Sequence, residues 1–193
     1  RRMANGNRAY WDVKHFCVAQ AELAESGASI TYTGGKTAWD LISVSITPNV
    51  ISAPHTSETG GRKVRYKSLG ADITVGHEPE TQEMRALLFG HELDEGSAKE
   101  LAYGIQDVPR HVGVAFYRAL NDDSFEGVFL PWAIFSEGTS EAQAALDGVN
   151  YATATTNGSA EADPSGVYQY IKGFATEQEA VSWCNTKLNI QQS

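Results

Sequence analysis

A chain of 193 residues with 41% hydrophobic and 10% aromatic side chains has the composition of a folded domain, and residues 1–193 read as a single one. At this length roughly 70% of the unfolded surface can be buried, so the fold needs no disulfide or metal staple. The net charge of −9 argues against nucleic-acid binding through a basic face, and no apolar run approaches the length of a membrane span.

Residues 1–9 are polar and read as an N-terminal arm, without the pattern of a secretory signal. Residues 11–18, WDVKHFCV, form a first strand. A second, ITYT, is followed by Gly34-Gly35, a turn signal. In residues 41–47 Ile42, Val44 and Ile46 alternate with Ser43, Ser45 and Thr47, the period of a half-buried strand. Val64 and Tyr66 then alternate with Lys63, Arg65 and Lys67, after which Leu69, Ala71, Ile73 and Val75 carry the apolar face. That slip in phase requires a bulge or bend over residues 68–70. Between the two strands, residues 48–62 are rich in Pro, Ser, Thr, Gly and Asn. They are far longer than a hairpin turn needs, and read as an extended polar loop arm.

A short amphipathic helix is expected over residues 79–89. Pro79 and Glu78, Glu80 and Glu83 stand at its start, Met84, Leu87 and Leu88 share the face that packs on a sheet, and Gly90 ends it. Residues 91–110 are a polar excursion. Strands follow at 112–118, after which Asn121, Asp122 and Asp123 turn the chain, and at 128–135. The latter is apolar on both faces and interrupted by Pro131, which demands a bulge or an edge position. Further strands are expected at 149–156 and 167–174. Thr176 and Glu179 fit a capping box opening a C-terminal helix over 176–188, with Val181, Cys184 and Leu188 on one face. The sum is a mainly β fold, a β-sandwich or barrel with one inserted amphipathic helix and a C-terminal helix.

No catalytic or metal site emerges from the residues. His77, His91, Glu92 and Asp94 are the densest group of ligand-type side chains, but their spacing matches no zinc pattern. Asp122, Asp123 and Glu126 lack the glycine and distal glutamate of a calcium loop. Gly60-Gly61 before Arg62-Lys63 lacks the strand-to-helix setting of a phosphate loop. Cys17 and Cys184 lie far apart without CxxC spacing and read as reduced thiols. No cofactor is expected. Trp11, Trp39 and Trp132 raise the alternative of a carbohydrate-binding β-sandwich, although Trp11 and Trp132 fall where core packing is expected. Charge is unevenly spread. Residues 1–67 hold nine Lys/Arg against five Asp/Glu, a balance of +4, while residues 68–193 hold six against nineteen, a balance of −13. Either the chain presents opposite charge on opposite surfaces, favouring head-to-tail association of copies, or the segregation averages out on folding.

The order of short motifs across residues 14–188 resembles the major tail proteins of long-tailed, non-contractile bacteriophages. The carriers are ISVSITPNV leading into the arm, the helix PETQEMRALLFG, the strand pair bearing AFYR and Trp132, and the final helix TEQEAVSWCNTKL with Trp183. The N-terminal arm and Pro131 depart from the family pattern. The resemblance implies a structural virion protein, not an enzyme, that assembles in the host cytoplasm into stacked hexameric rings. Those rings form the tail tube through which the genome is ejected without specific DNA binding. It further implies contact with a tape measure protein and with terminator or tip proteins, and no membrane. The arm would reach the neighbouring ring through Pro48, Asn49, Val50, Ile51 and Ser52 on its outgoing limb. His55, Thr56 and Glu58 would stand near its apex and Arg62, Lys63 and Arg65 on its return. A tail terminator or a secretion-system tube subunit would share the fold and differ in partners.

Overall fold

The computed structural model describes residues 9–38, 41–56, 62–78, 80–94, 96, 100–138 and 153–191. Among these residues the fold is mainly β, a large antiparallel sheet with a small two-stranded one and two helices. The first strand, β1 (Tyr10–Leu23), pairs with β2 (Ile30–Thr37) and with β7 (His111–Leu120). It runs past the expected end at residue 18 because its second half lies between two neighbours, and Phe16, Cys17, Val18 and Ala19 are all fully buried.

Gly34 and Gly35 do not turn the chain. They lie within β2, where the register with β1 shifts between Val18 and Gln20, and Gly34 has a φ of +63°. The left-handed residue absorbs one extra position in the ladder as a bulge. The turn falls earlier instead, closed by the Ala24 amide donating to the Ser29 carbonyl.

The larger correction concerns the loop arm expected over residues 48–62. The third strand, β3 (Leu41–Thr56), pairs with β4 (Arg62–His77) from Leu41↔His77 to Thr56↔Arg62, with register shifts at Ile42 and at Leu69. Most of the anticipated loop is thus a two-stranded ladder; Glu58 lies outside the described residues. Its polar composition misled because β3 has an unpaired edge among the described residues. Pro48 and Pro54 share one parity of the strand, so both missing amides can face that edge. The expected bulge is present. Asn49 pairs with Gly70 and Val50 with Ser68, leaving Leu69 unmatched.

Thr81 caps the inserted helix, α1 (Gln82–Phe89), its hydroxyl accepting from the Met84 amide, so the helix starts three residues later than anticipated. Gly90 ends it at φ +76°. Met84 and Leu88 are buried in the core and Leu87 packs against it, as the helical spacing required. The excursion that follows carries a small ladder, β5 (Glu92–Leu93) with β6 (Leu101–Ala102).

Pro131 sits where β8 (Phe125–Ser136) changes neighbours. On the side away from β7, residues 125–129 pair with β10 (Tyr170–Phe174) and residues 132–136 with β9 (Ala154–Glu161). The residue without an amide falls at the gap between two partners, and β8 itself bulges there, Pro131 and Trp132 together standing opposite Gly113 of β7. The strand expected at 149–156 lies later: β9 continues through Asn157 and Ala160, while residues 149–152 lie outside the described part. The strand expected from residue 167 begins at Tyr170.

The sheet order is β2-β1-β7-β8-β9-β4-β3, with β10 added beside β8. Although β1 and β3 lie far apart in that order, Phe16 and Val18 of β1 pack in the same core as Val44 and Ile46 of β3. The sheet therefore wraps around that core in barrel-like fashion. A second cluster of Cys17, Ala19, Ala115, Phe129, Cys184 and Leu188 lies on the other face of β1, β7 and β8, under the C-terminal helix α2 (Glu177–Lys187). Thr176 and Glu179 form the expected capping box there. Both thiols are buried and free.

Candidate assembly interface

The strand pair β3–β4 serves two purposes along its length. From Ala71 to His77, β4 also pairs with β9 and is an interior strand. From Leu69 back to Arg62 its described ladder is with β3 alone, so residues 50–56 and 62–69 form a two-stranded ribbon leaving the body of the sheet. The changeover is at Gly70, whose φ of +134° lies in a region that side chains disfavour.

A two-stranded ribbon is at best marginally stable in water unless something packs on it. This one carries Val50 and Ile51, each 52% exposed, Leu69 at 55% and Tyr66 at 73%. Ser52 pairs with Tyr66, and Ile51 with Lys67. Of the arm residues singled out from the sequence, Pro48 and Asn49 belong to the sheet body, opposite Ala71 and Gly70. The Asn49 side chain donates from Nδ2 to Asp72 Oδ1 at 2.9 Å. Val50, Ile51 and Ser52 are on the ribbon; His55 is opposite Lys63, Thr56 opposite Arg62 and Arg65 opposite Ala53. Sequence reasoning left out Tyr66, Lys67 and Leu69. The alternation through Val64 and Tyr66 marked the return strand, and pairing it with residues 50–56 would have found them.

The outward face of the neighbouring sheet has a different character. Ser45, Thr74, Asn157 and Ser136 lie in one row across β3, β4, β9 and β8, and Thr47, Asp72, Ser159 and Ile134 in the next. Thr74 Oγ1 donates to Asn157 Oδ1 at 3.1 Å. Neither row contains a lysine or arginine. Along β1, β7 and β8 the face turned away from the main core is covered by α2.

The histidines once grouped with Glu92 and Asp94 are held separately. His77 is fully buried, with its ring nitrogens 2.5 Å from the Glu78 carbonyl and 2.9 Å from Thr156 Oγ1. Thr156 in turn donates to Glu80, which also pairs with Arg85 at 3.3 Å. His91 stands between Asp107 at 2.7 Å and Glu137 at 3.2 Å. Among the described residues no three His, Cys, Asp or Glu side chains are placed to share a metal ion. Burial pushes the Cys17 thiol up to about 11 and the Cys184 thiol up to about 12, well above the ordinary thiol value.

The tryptophans also differ from expectation. Trp11 is 66% exposed rather than in the core, although its indole N–H donates to the Leu120 carbonyl at 3.0 Å. It borders a cleft of about 460 Å³ between Tyr10–Val13 of β1 and Ile42–Ile46 of β3. Trp132 is half-buried and stacks on His111 at 4.2 Å. No protein-family model matches the chain, and no curated protein matches it.

Proposed function

We propose that this chain is a structural, non-enzymatic subunit that assembles with copies of itself into stacked six-membered rings, the tail tube of a long-tailed, non-contractile bacteriophage. The observation that carries the reading is the β3–β4 ribbon. It projects beyond its own sheet, bears exposed Val50, Ile51, Tyr66 and Leu69, and has the marginal stability of a segment that needs a partner surface. The order of motifs in the sequence supports the same reading.

The wetted Ser/Thr/Asn face of β3, β4, β9 and β8 suits a wall along which DNA slides. It offers Asp72 but no cation to hold phosphates, and phosphate neutralisation by cations dominates DNA affinity. Tape measure and terminator or tip proteins would be met at the ends of such a tube, assembled in the host cytoplasm and kept in the virion. No helix among the described residues is long and apolar enough to cross a membrane. A terminator or a secretion-system tube subunit would use the same surfaces with different end partners. Exposed Trp11 beside Tyr10 favours a second reading, a carbohydrate-binding module, which a glycan screen followed by Trp fluorescence would test.

The ribbon gives the direct test. Replacing residues 52–66 by Asn-Gly would close Ile51↔Lys67 with a two-residue turn. The shortened chain should fold, by circular dichroism, and fail to form long tubes in negative-stain electron microscopy. Tubes of normal length from it would remove the ribbon from the contact between rings.

A further inference from the structure

We propose that the ribbon of one copy docks on residues 91–110 of the next copy, an inference that rests on the self-assembly reading above. The two surfaces lie at opposite ends of the same strand. β4 begins at the ribbon's far end with Arg62 and finishes at His77, from which α1 and then residues 91–110 follow. Copies joined through such unlike surfaces repeat head to tail, as stacking requires.

The receiving segment is built to present apolar side chains. Its base is the β5–β6 ladder, and the Arg110 amide donates to the Leu88 carbonyl at 3.1 Å. His91 ties Asp107 to Glu137 at the end of β8, and Asp107 also accepts from the Gly104 amide at 2.7 Å. Tyr103 accepts from Arg85 at 2.8 Å and lies 4.2 Å from the His91 ring. With the frame so fixed, Ile105 is completely exposed and Val108 is 71% exposed. Residues 101–110, tied down by these contacts, lose little freedom on docking.

Charge selects the partner. Residues 50–69 hold four Lys/Arg and one Asp/Glu, a balance of +3, whereas residues 91–110 hold two and five, a balance of −3. Glu92, Asp94 and Glu100 of the same segment are exposed. An apolar centre inside a charged rim, facing its complement, is the anatomy of a protein–protein interface, and the rim sets register and rate of encounter.

A charge-swap series in the full chain tests the pairing. The readouts are sedimentation for assembly and circular dichroism for fold. Asp94→Lys with Glu100→Lys, or Arg65→Glu with Lys67→Glu, should each raise the concentration needed for assembly by about tenfold. The chain carrying all four changes should recover. Ile105→Asp, at a fully exposed position, should impair assembly while leaving the subunit folded. If the Asp94/Glu100 and Ile105 variants assemble like the wild type while the Arg65/Lys67 variant does not, this docking site is overturned and self-assembly stands. A wild-type chain that never associates would overturn both.

Discussion

The α-carbon of Gly70 faces the carbonyl oxygen of Ala160 so closely that a side-chain carbon at position 70 would stand 2.3 Å from it. Together with its φ of +134°, this fixes glycine at the point where β4 leaves β9 and becomes ribbon. Gly70→Ala combines a disfavoured backbone, costing about 1–3 kcal/mol, with a clash against main chain. The midpoint of thermal unfolding should fall by at least about 2–4 °C. A variant melting within a degree of the wild type would show that the changeover is not built on this contact.

The capping box of α2 offers a second measurement. Thr176 accepts from the Glu179 amide while the Glu179 side chain accepts from the Thr176 amide. Removing the hydroxyl in Thr176→Ala should cost about 1 kcal/mol in urea unfolding. Because α2 covers Cys17 and Phe129, the loss should also increase the exchange of amides in that helix. An unchanged urea midpoint would mean that packing alone fixes the helix start.

The two thiols make stability depend on alkaline pH. Their folded-state values, about 11 for Cys17 and about 12 for Cys184, lie above those of a thiol in unfolded chain. Below an unfolded-chain value of roughly 8.5 both states keep the protons and the contribution is complete. As pH rises further the unfolded state loses protons first, so stability falls up to the folded-state values. Urea midpoints should decline between about pH 9 and 11, and the decline should be smaller in Cys17→Ala/Cys184→Ala. A thiol reagent at pH 8 should label neither cysteine until the chain unfolds. Rapid labelling of the folded chain would contradict their burial.

Salt separates attraction from packing in the ribbon contact. Reversing Arg62, Lys63 and Arg65 to Glu should weaken tube formation more at low ionic strength than at high, since screening shortens to roughly 3 Å at 1 M salt. A loss independent of salt would sink the electrostatic account.

Much of the frame was legible in the chain. The spacing of Met84, Leu87 and Leu88 and the Thr176–Glu179 pair each report a local physical requirement, and each is met. Of the alternation Ile42, Val44, Ile46 the last two pack on the core, while Ile42 is exposed where the register slips between Leu41 and Ser43. The slip around Leu69 was legible for the same reason. What failed depended on distant partners. Gly34-Gly35 reads as a turn in isolation and becomes a bulge only because β1 lies alongside. Prolines 48 and 54 signal a loop unless the strand is known to have an open edge. Trp11 carries no mark of its exposure. Ile105 and Val108 were hidden in a segment whose average is polar, and only the folded frame around His91 singles them out.

The central claim, self-assembly into rings that stack, is tested most directly by negative-stain electron microscopy of the purified chain across a concentration series, with mass measured alongside. The account predicts rings with a central hole, six-subunit masses and, as concentration rises, tubes of constant width. A monodisperse monomer at every concentration, with no rings in any field, would contradict it.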